Sequence, residues 1–292
     1  MTEYPLFSEE KSVEAVNARM GDAVSPRMRA VMATVVRHLH EVVKECDLSR
    51  EEWAAAIQFL TDTGQMCSDW RQEFILLSDV LGVSMLVEAI NHRRPQGATE
   101  NTVLGPFHVE GAPEYPNGTD IRLDGKGDPM RVQGRVADVE GHPLPGALLD
   151  VWQTNDAGYY DVQQPECQPK WNFRGRFRAD ADGRYAFVTA RPRYYPIPDD
   201  GPVGKLLAQL GRHPNRAAHI HFIVTSPGFD PVITHIFDPD CPYLTEDAVF
   251  GVKDSLVARI EPAVDQQGWA VEWDFALIPA STLQPGPVAP SS

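Results

Sequence analysis

The feature that most restricts what this chain can fold into is a change in the spacing of its apolar residues near residue 100. Upstream they recur at three- and four-residue intervals: Met28, Val31, Val35, Leu39 and Val42, then Trp53, Ile57 and Leu60. This is the period of amphipathic helices, each with one apolar face. Ser25-Pro26 predicts a capped helix start with proline in the first turn, and Ser49-Arg50-Glu51-Glu52 predicts a capping box. A third helix is expected over about residues 69–91, carrying Phe74, Leu77, Leu81, Met85 and Leu86. A bundle this apolar can pair with a second copy as readily as it can form an internal core.

Beyond Gly105-Pro106, short β-branched runs alternate with Gly, Pro, Asn and Asp, the chemistry of strands and turns. Strands are expected over residues 130–139, 147–154, 175–178, 184–189, 218–225, 232–237 and 270–278, with a helical insert over 204–211. EGHPLPG and DADG supply turns, and the tail LQPGPVAPSS is expected to be loose. The expected fold class is α+β: an N-terminal helical dimerisation domain, residues 1–104, followed by an antiparallel β-sandwich, residues 105–292, carrying the metal site argued below.

At 292 residues the chain can form two domains, and 42% hydrophobic content supplies a core. Its net charge of −15 repels phosphate backbones and anionic lipid, so neither nucleic acid nor a membrane is an expected partner. No basic leader followed by an apolar core opens the chain, and no apolar run approaches spanning length; the expected location is cytoplasmic. The sequon Asn117-Gly118-Thr119 then reads as a turn. Cys46, Cys67, Cys167 and Cys241 are too scattered for a CxxC metal site.

Chemistry concentrates in His219-Ile220-His221 and in two tyrosine pairs, Tyr159-Tyr160 and Tyr194-Tyr195. The run AHIHFIVT reads as a strand, whose alternation puts both histidines on one face. If one tyrosine of each pair joins them, the set offers two neutral imidazoles and two phenolates. A phenol with a solution pKa of about 10 ligates only an ion acidic enough to ionise it, which favours Fe(III). A cupin would need a glutamate soon after the HxH, and a ferrous facial triad a carboxylate where Ile220 stands; both are missing. Each element alone has a plain alternative: a hydrogen-bonded histidine pair at a sheet edge, or core and cleft aromatics.

LDVWQTNDAGYY, RGRFRADADGRY, RYYPIPDDGPVG and GRHPNRAAHIHF together resemble the intradiol ring-cleaving dioxygenases, which use non-haem ferric iron. ILLSDVLG and TVLGPF follow the same order, so the resemblance spans nearly the whole chain. Within the family, YYPIPDDGPVGKLL, ITHIF and AVFGVKDSL are most similar to the hydroxyquinol-cleaving branch, with catechol and chlorocatechol enzymes next. The resemblance implies one Fe(III) per chain on Tyr160, Tyr195, His219 and His221. Tyr195 and His221 would be axial, and Tyr160, His219 and a hydroxide or water equatorial. It makes Tyr195 a base toward the substrate, Arg216 a catalytic cation beside the reacting ring carbon, and His235 a hydrogen-bonding support behind the ligands. A homodimer joined through the N-terminal helices is implied as well.

The family's pocket positions fall on Leu76, Asp79, Val103, Leu104, Gly105, Pro106, Phe107, Ile197, Pro198, Arg216 and Val249. The implied reaction inserts both atoms of O2 between adjacent hydroxyl-bearing carbons of a small aromatic diol or triol. Hydroxyquinol would give 3-hydroxy-cis,cis-muconate, the tautomer of maleylacetate. Asp79 could accept a hydrogen bond from a third ring hydroxyl or simply cap and pair within the helices. Two departures stand out: WQTN replaces the usual WHAN, and Ala217 replaces a usual proline, which is expected to loosen the segment holding Arg216. The rival reading is a non-catalytic, transthyretin-like sandwich whose tyrosines line a ligand cleft.

Overall fold

The structure, a computed structural model, describes residues 4–68, 71–264 and 267–280. The chain divides into two compact units, one ending at Gln65 and the other beginning at Met66. The first holds α1 (Ser12–Asn17), α2 (Pro26–Glu45) and most of α3 (Arg50–Met66). The Ser25 hydroxyl accepts from the Met28 amide at 3.2 Å, with Pro26 opening α2. At α3 the capping box closes: the Glu52 amide donates to the Ser49 hydroxyl at 3.1 Å, and the Ser49 amide to the Glu52 carboxylate at 2.9 Å. Ser49→Ala should therefore cost about 1 kcal/mol, read as a lower denaturant midpoint at unchanged slope. The apolar stripes of α2 and α3 form as expected, yet α2 buries none of its residues.

The second unit begins with α4 (Glu73–Val80) and α5 (Val83–Asn91). The single helix expected over 69–91 is thus two, and its first residues, Asp69 and Trp70, lie outside the described residues. Gly82 breaks it by taking a left-handed φ of 73°, with its amide donating to the Asp79 carbonyl at 3.0 Å.

Twelve strands follow among the described residues: β1 (Glu114–Tyr115), β2 (Pro129–Asp138), β3 (Leu148–Trp152), β4 (Arg174–Arg178), β5 (Arg184–Ala190), β6 (Tyr195–Pro196), β7 (Asn215–Arg216), β8 (His219–Thr225), β9 (Val232–Phe237), β10 (Ile260–Pro262), β11 (Trp269–Glu272) and β12 (Phe275–Leu277). The helical insert is α6 (Pro202–Gln209), shifted two residues toward its Pro202 start. One sheet runs β1-β4-β3-β8-β9; the other is built on β2, with β5 on one edge and β11, β12 and β10 on the other side. The core lies between them, formed from Met130, Val132, Leu149, Val151, Phe177, Phe187, Ile220, Phe222, Val224, Val271 and Phe275. Burying each such side chain contributes roughly 1.5–3 kcal/mol.

The sandwich is mixed rather than wholly antiparallel, because β1 runs parallel to β4, and β11 and β12 run parallel to β2. Alternation predicts which face a strand buries; direction is set by how the chain returns to the sheet. The strand expected over 270–278 is interrupted where Asp274 turns its carboxylate to the Arg135 amide at 2.7 Å. At 117–119 the chain turns as expected, with Gly118 left-handed and Thr119 bonded back to Pro116.

Candidate metal centre

Alternation along β8 sends Ile220, Phe222 and Val224 into the core and leaves His219 and His221 on the opposite face. Neighbouring strands contribute from both sides: Trp152 on β3 and His235 on β9 are both register partners of His221. The Trp152 indole stacks on the His221 imidazole at 4.6 Å and 11°.

Tyr160 arrives from the loop after β3. There the Asn155 side-chain oxygen accepts from the Ala157 and Tyr159 amides at 3.0 Å each, and Gln163 accepts from the Tyr160 amide at 2.9 Å. Tyr195 lies on β6, opposite Arg216 of β7. Two glycines let the backbone come this close. Gly158 (φ 83°) would place a Cβ 2.8 Å from that of Tyr195, and Gly105 (φ 77°) would place one 3.1 Å from the His221 ring.

The tyrosine oxygens of Tyr160 and Tyr195 lie 2.9 Å apart, Tyr160 Oη lies 2.8 Å from His221 Nε2, and the two Nε2 atoms of His219 and His221 are 3.1 Å apart. All four side chains are buried. Tyr159 and Tyr194 are both 45% exposed, and Tyr194 packs instead on Tyr243. The second tyrosine of each pair therefore joins the histidines.

Hydrogen accounting shows what the cluster lacks. His219 Nδ1 faces the Ala217 carbonyl at 2.5 Å, so it carries the hydrogen and leaves Nε2 a bare lone pair. His221 Nδ1 is buried without a hydrogen-bond partner among the described residues. Burial, with Arg216 nearby, lowers the His219 pKa to about 3, and burial keeps His221 far below its ordinary range, so both imidazoles are neutral. Burial pushes both phenols upward, Tyr160 most, with the neighbouring Tyr195 adding to it. Without a cation the phenols stay protonated; the set fits an ion acidic enough to displace those protons. Two phenols, two imidazoles and no thiolate are the donors of a hard, trivalent metal.

His235 brings a third imidazole. One ring nitrogen from each of His219, His221 and His235 lies within 4.8 Å of the others, while the His235 Nδ1 is hydrogen-bonded to the Thr102 hydroxyl at 2.9 Å. Burial holds His235 well below its ordinary pKa.

Arg216 is buried, and its Nε donates to Asp247 Oδ1 at 2.8 Å. Burial is the largest influence and works against the cation, but the charge and hydrogen bond of Asp247, together with Tyr195 and Tyr160, outweigh it and raise its pKa. Among the described residues its Nη2 has no hydrogen-bond partner. Asp247 also accepts from the Ala217 amide at 2.9 Å and the Gly251 amide at 2.7 Å. Ala217 was expected to loosen this segment; instead it supplies an N–H that proline lacks, tying the segment to the carboxylate that holds Arg216. Gln153, the other departure, is satisfied by Thr189 and the Ala190 carbonyl.

Of the expected pocket residues, Ile197 and Val249 are buried in one cluster with Leu76 packed against it, and Phe107 stacks on Tyr160 at 4.6 Å. Val103 adjoins His235, whose ring meets its backbone. Leu104, Pro106 and Pro198 are exposed. Asp79, near the end of α4, has a carboxyl raised by burial, offset by the Ser84 hydroxyl and the Arg216 charge. Asp247, Trp152 and Thr102 escaped the sequence reading; a partner thirty residues away on another loop leaves no local pattern.

Comparison with known proteins follows the same lines. The family description "Dioxygenase" matches residues 103–279, and "Catechol dioxygenase N terminus" matches residues 25–99. A hydroxyquinol 1,2-dioxygenase of Rhizobium sp. is 57% identical over 282 residues, covering 93% of this chain and 96% of that protein. A 6-chlorohydroxyquinol 1,2-dioxygenase of Cupriavidus pinatubonensis is 46% identical over 273 residues, covering 94% and 98%. The crystal structure of a hydroxyquinol 1,2-dioxygenase from Pseudomonas putida superposes with a TM-score of 0.87 at 46% identity, covering 93% of this chain and 97% of that one.

Proposed function

We propose, since this chain belongs to the intradiol ring-cleavage dioxygenase family, that it is a hydroxyquinol 1,2-dioxygenase. It inserts both atoms of O2 between the adjacent hydroxyl-bearing carbons of benzene-1,2,4-triol to give 3-hydroxy-cis,cis-muconate, the tautomer of maleylacetate. The observation that carries the reading is the convergence of Tyr160, Tyr195, His219 and His221 to within 2.8–3.1 Å in consecutive contacts. These four residues would hold one Fe(III) per chain, with His235 supporting them from behind through Thr102.

Ferric iron, when bound, supplies the Lewis acidity that ionises the phenols and draws electron density from a chelated ring. The chain does the rest. Tyr195 can take a proton from a substrate hydroxyl at its phenolic oxygen, since its register partner Arg216 stabilises the charged form against burial. Arg216 offers its unpartnered Nη2 to negative charge developing on the ring. Leu76, Ile197 and Val249 provide an apolar wall that keeps water from the reacting ring. We assign catalysis to residues 105–292 and dimerisation to the helical region 1–104, where the uncovered apolar stripes of α2 and α3 support pairing with a second copy. Among the described residues no helix is long and apolar enough to cross a membrane, and cysteines that form no disulfide among the described residues suit a reducing cytoplasm.

Oxygen uptake on hydroxyquinol, catechol and 4-chlorocatechol tests the substrate. Hydroxyquinol should be fastest by kcat/KM, because catechol would leave Asp79 with only the Ser84 hydroxyl and one acceptor site unfilled, at about 1–3 kcal/mol. Asp79→Leu should shrink the hydroxyquinol preference over catechol about tenfold, within that range. Faster turnover of catechol by the unaltered protein would overturn the substrate assignment and leave the metal centre standing.

A further inference from the structure

Beside the Tyr160 ring lies a buried ion pair that none of the steps above uses. Arg174, on β4, is 1% exposed; its Nε donates to Asp161 Oδ1 at 2.6 Å and its Nη1 to the Phe107 carbonyl at 2.7 Å. The guanidinium carbon sits 5.8 Å from the centroid of the Tyr160 ring, on which Phe107 also stacks. Asp161 follows Tyr160 directly in the chain, and its second oxygen accepts from the Trp171 amide at 3.0 Å. One guanidinium thus joins the residue after Tyr160, the segment whose ring covers Tyr160, and the sheet.

Energetics argue against a stabilising purpose. Replacing a buried ion pair with apolar side chains of similar volume is often neutral or favourable, since desolvation offsets the attraction. The Nη2 of Arg174 is also buried without a hydrogen-bond partner among the described residues. The backbone here is strained as well, for Trp171 and Phe173 hold left-handed φ of 70° and 58°. Bulky residues so placed cost of order 1–3 kcal/mol each and persist where the surroundings impose them. The arrangement is costly, and its members surround one ring, that of Tyr160.

We propose that Arg174, acting through Asp161 and Phe107, is the positioning residue that fixes the Tyr160 phenol at the metal centre. The proposal rests on the reading of Tyr160 as an iron donor. Lysine cannot replace the arginine, since it lacks the planar fork that serves Asp161 and Phe107 together.

The test compares iron-loaded wild type, Arg174→Lys and Asp161→Asn by visible absorption per bound iron and by chelator competition for the metal. Both variants should move the phenolate-to-iron band and weaken iron binding by about 10–100-fold, the usual cost of losing a group that orients a ligand. A wild-type band and wild-type affinity in a folded variant would overturn the proposal, even if that variant melts earlier, because a purely structural role predicts that pattern. If Arg174→Lys does not fold by circular dichroism, Asp161→Asn, which keeps the shape but must set an N–H against either Arg174 or the Trp171 amide, decides on the same two outcomes. Wild-type protein without any phenolate band removes the iron reading and the proposal with it; a normal wild-type band with unmoved variants removes the proposal alone.

Discussion

Tyr160→Phe is expected to strip the iron-loaded protein of most of its visible absorption and to lower kcat by at least about 10³-fold, beyond the 10–100-fold typical of groups that merely support a ligand. Phenylalanine keeps the ring and its stack on Phe107 at 4.6 Å, so the packing that surrounds the centre survives. What disappears is one oxygen, the atom 2.9 Å from Tyr195 and 2.8 Å from His221. Tyr195→Phe should be equally inactive, for it removes both a donor and the group proposed to take the substrate proton. Oxygen uptake with hydroxyquinol, normalised to iron content, measures the loss. Colourless wild-type protein after iron loading, or a Tyr160→Phe variant with a wild-type band, would instead favour the non-catalytic sandwich in which these tyrosines only line a cleft.

The same atoms show how far sequence reading reaches. Period-2 alternation in AHIHFIVT is a local property, and the structure keeps it: Ile220, Phe222 and Val224 enter the core while His219 and His221 share the other face. Helix starts at Ser25 and Ser49 were equally legible, since a cap needs only a few consecutive residues. Choosing the second tyrosine in each pair took the family resemblance, because alternation between adjacent residues does not say which one faces inward in a loop. Strand direction and the break at Gly82 depend on the path of the whole chain, and there the expected antiparallel sandwich and single long helix gave way to parallel pairs and two short helices. Least legible were the groups that hold the functional ones. Asp161 meets Arg174 thirteen positions away, and Asp247 meets Arg216 thirty-one away; ordinary surface pairs of the same types would read identically.

That last pair carries the second large effect. Arg216→Gln should lower kcat about 10²–10³-fold, as expected for a preorganised group facing charge that develops during reaction, while KM for hydroxyquinol changes much less. Arg216→Lys should recover little, because an ammonium cannot both hold Asp247 and present a second nitrogen where Nη2 now stands. Asp247→Asn separates placement from charge. The carboxylate accepts from Arg216 Nε and from the amides of Ala217 and Gly251; an amide side chain must set an N–H against one of those donors. Burial raises the Asp247 carboxyl but Arg216 and the two amides outweigh it, so its pKa is lowered and the pair stays ionised through neutrality. Its contribution to folding is therefore present above the ordinary carboxylate pKa and is lost only as pH falls through the lowered value. Activity near neutral pH should show no limb from this pair, and Asp247→Asn should lower kcat at every neutral pH without adding one. Should Arg216→Gln retain a third or more of wild-type kcat per iron, the cation is a structural partner of Asp247 and has no part in the ring chemistry.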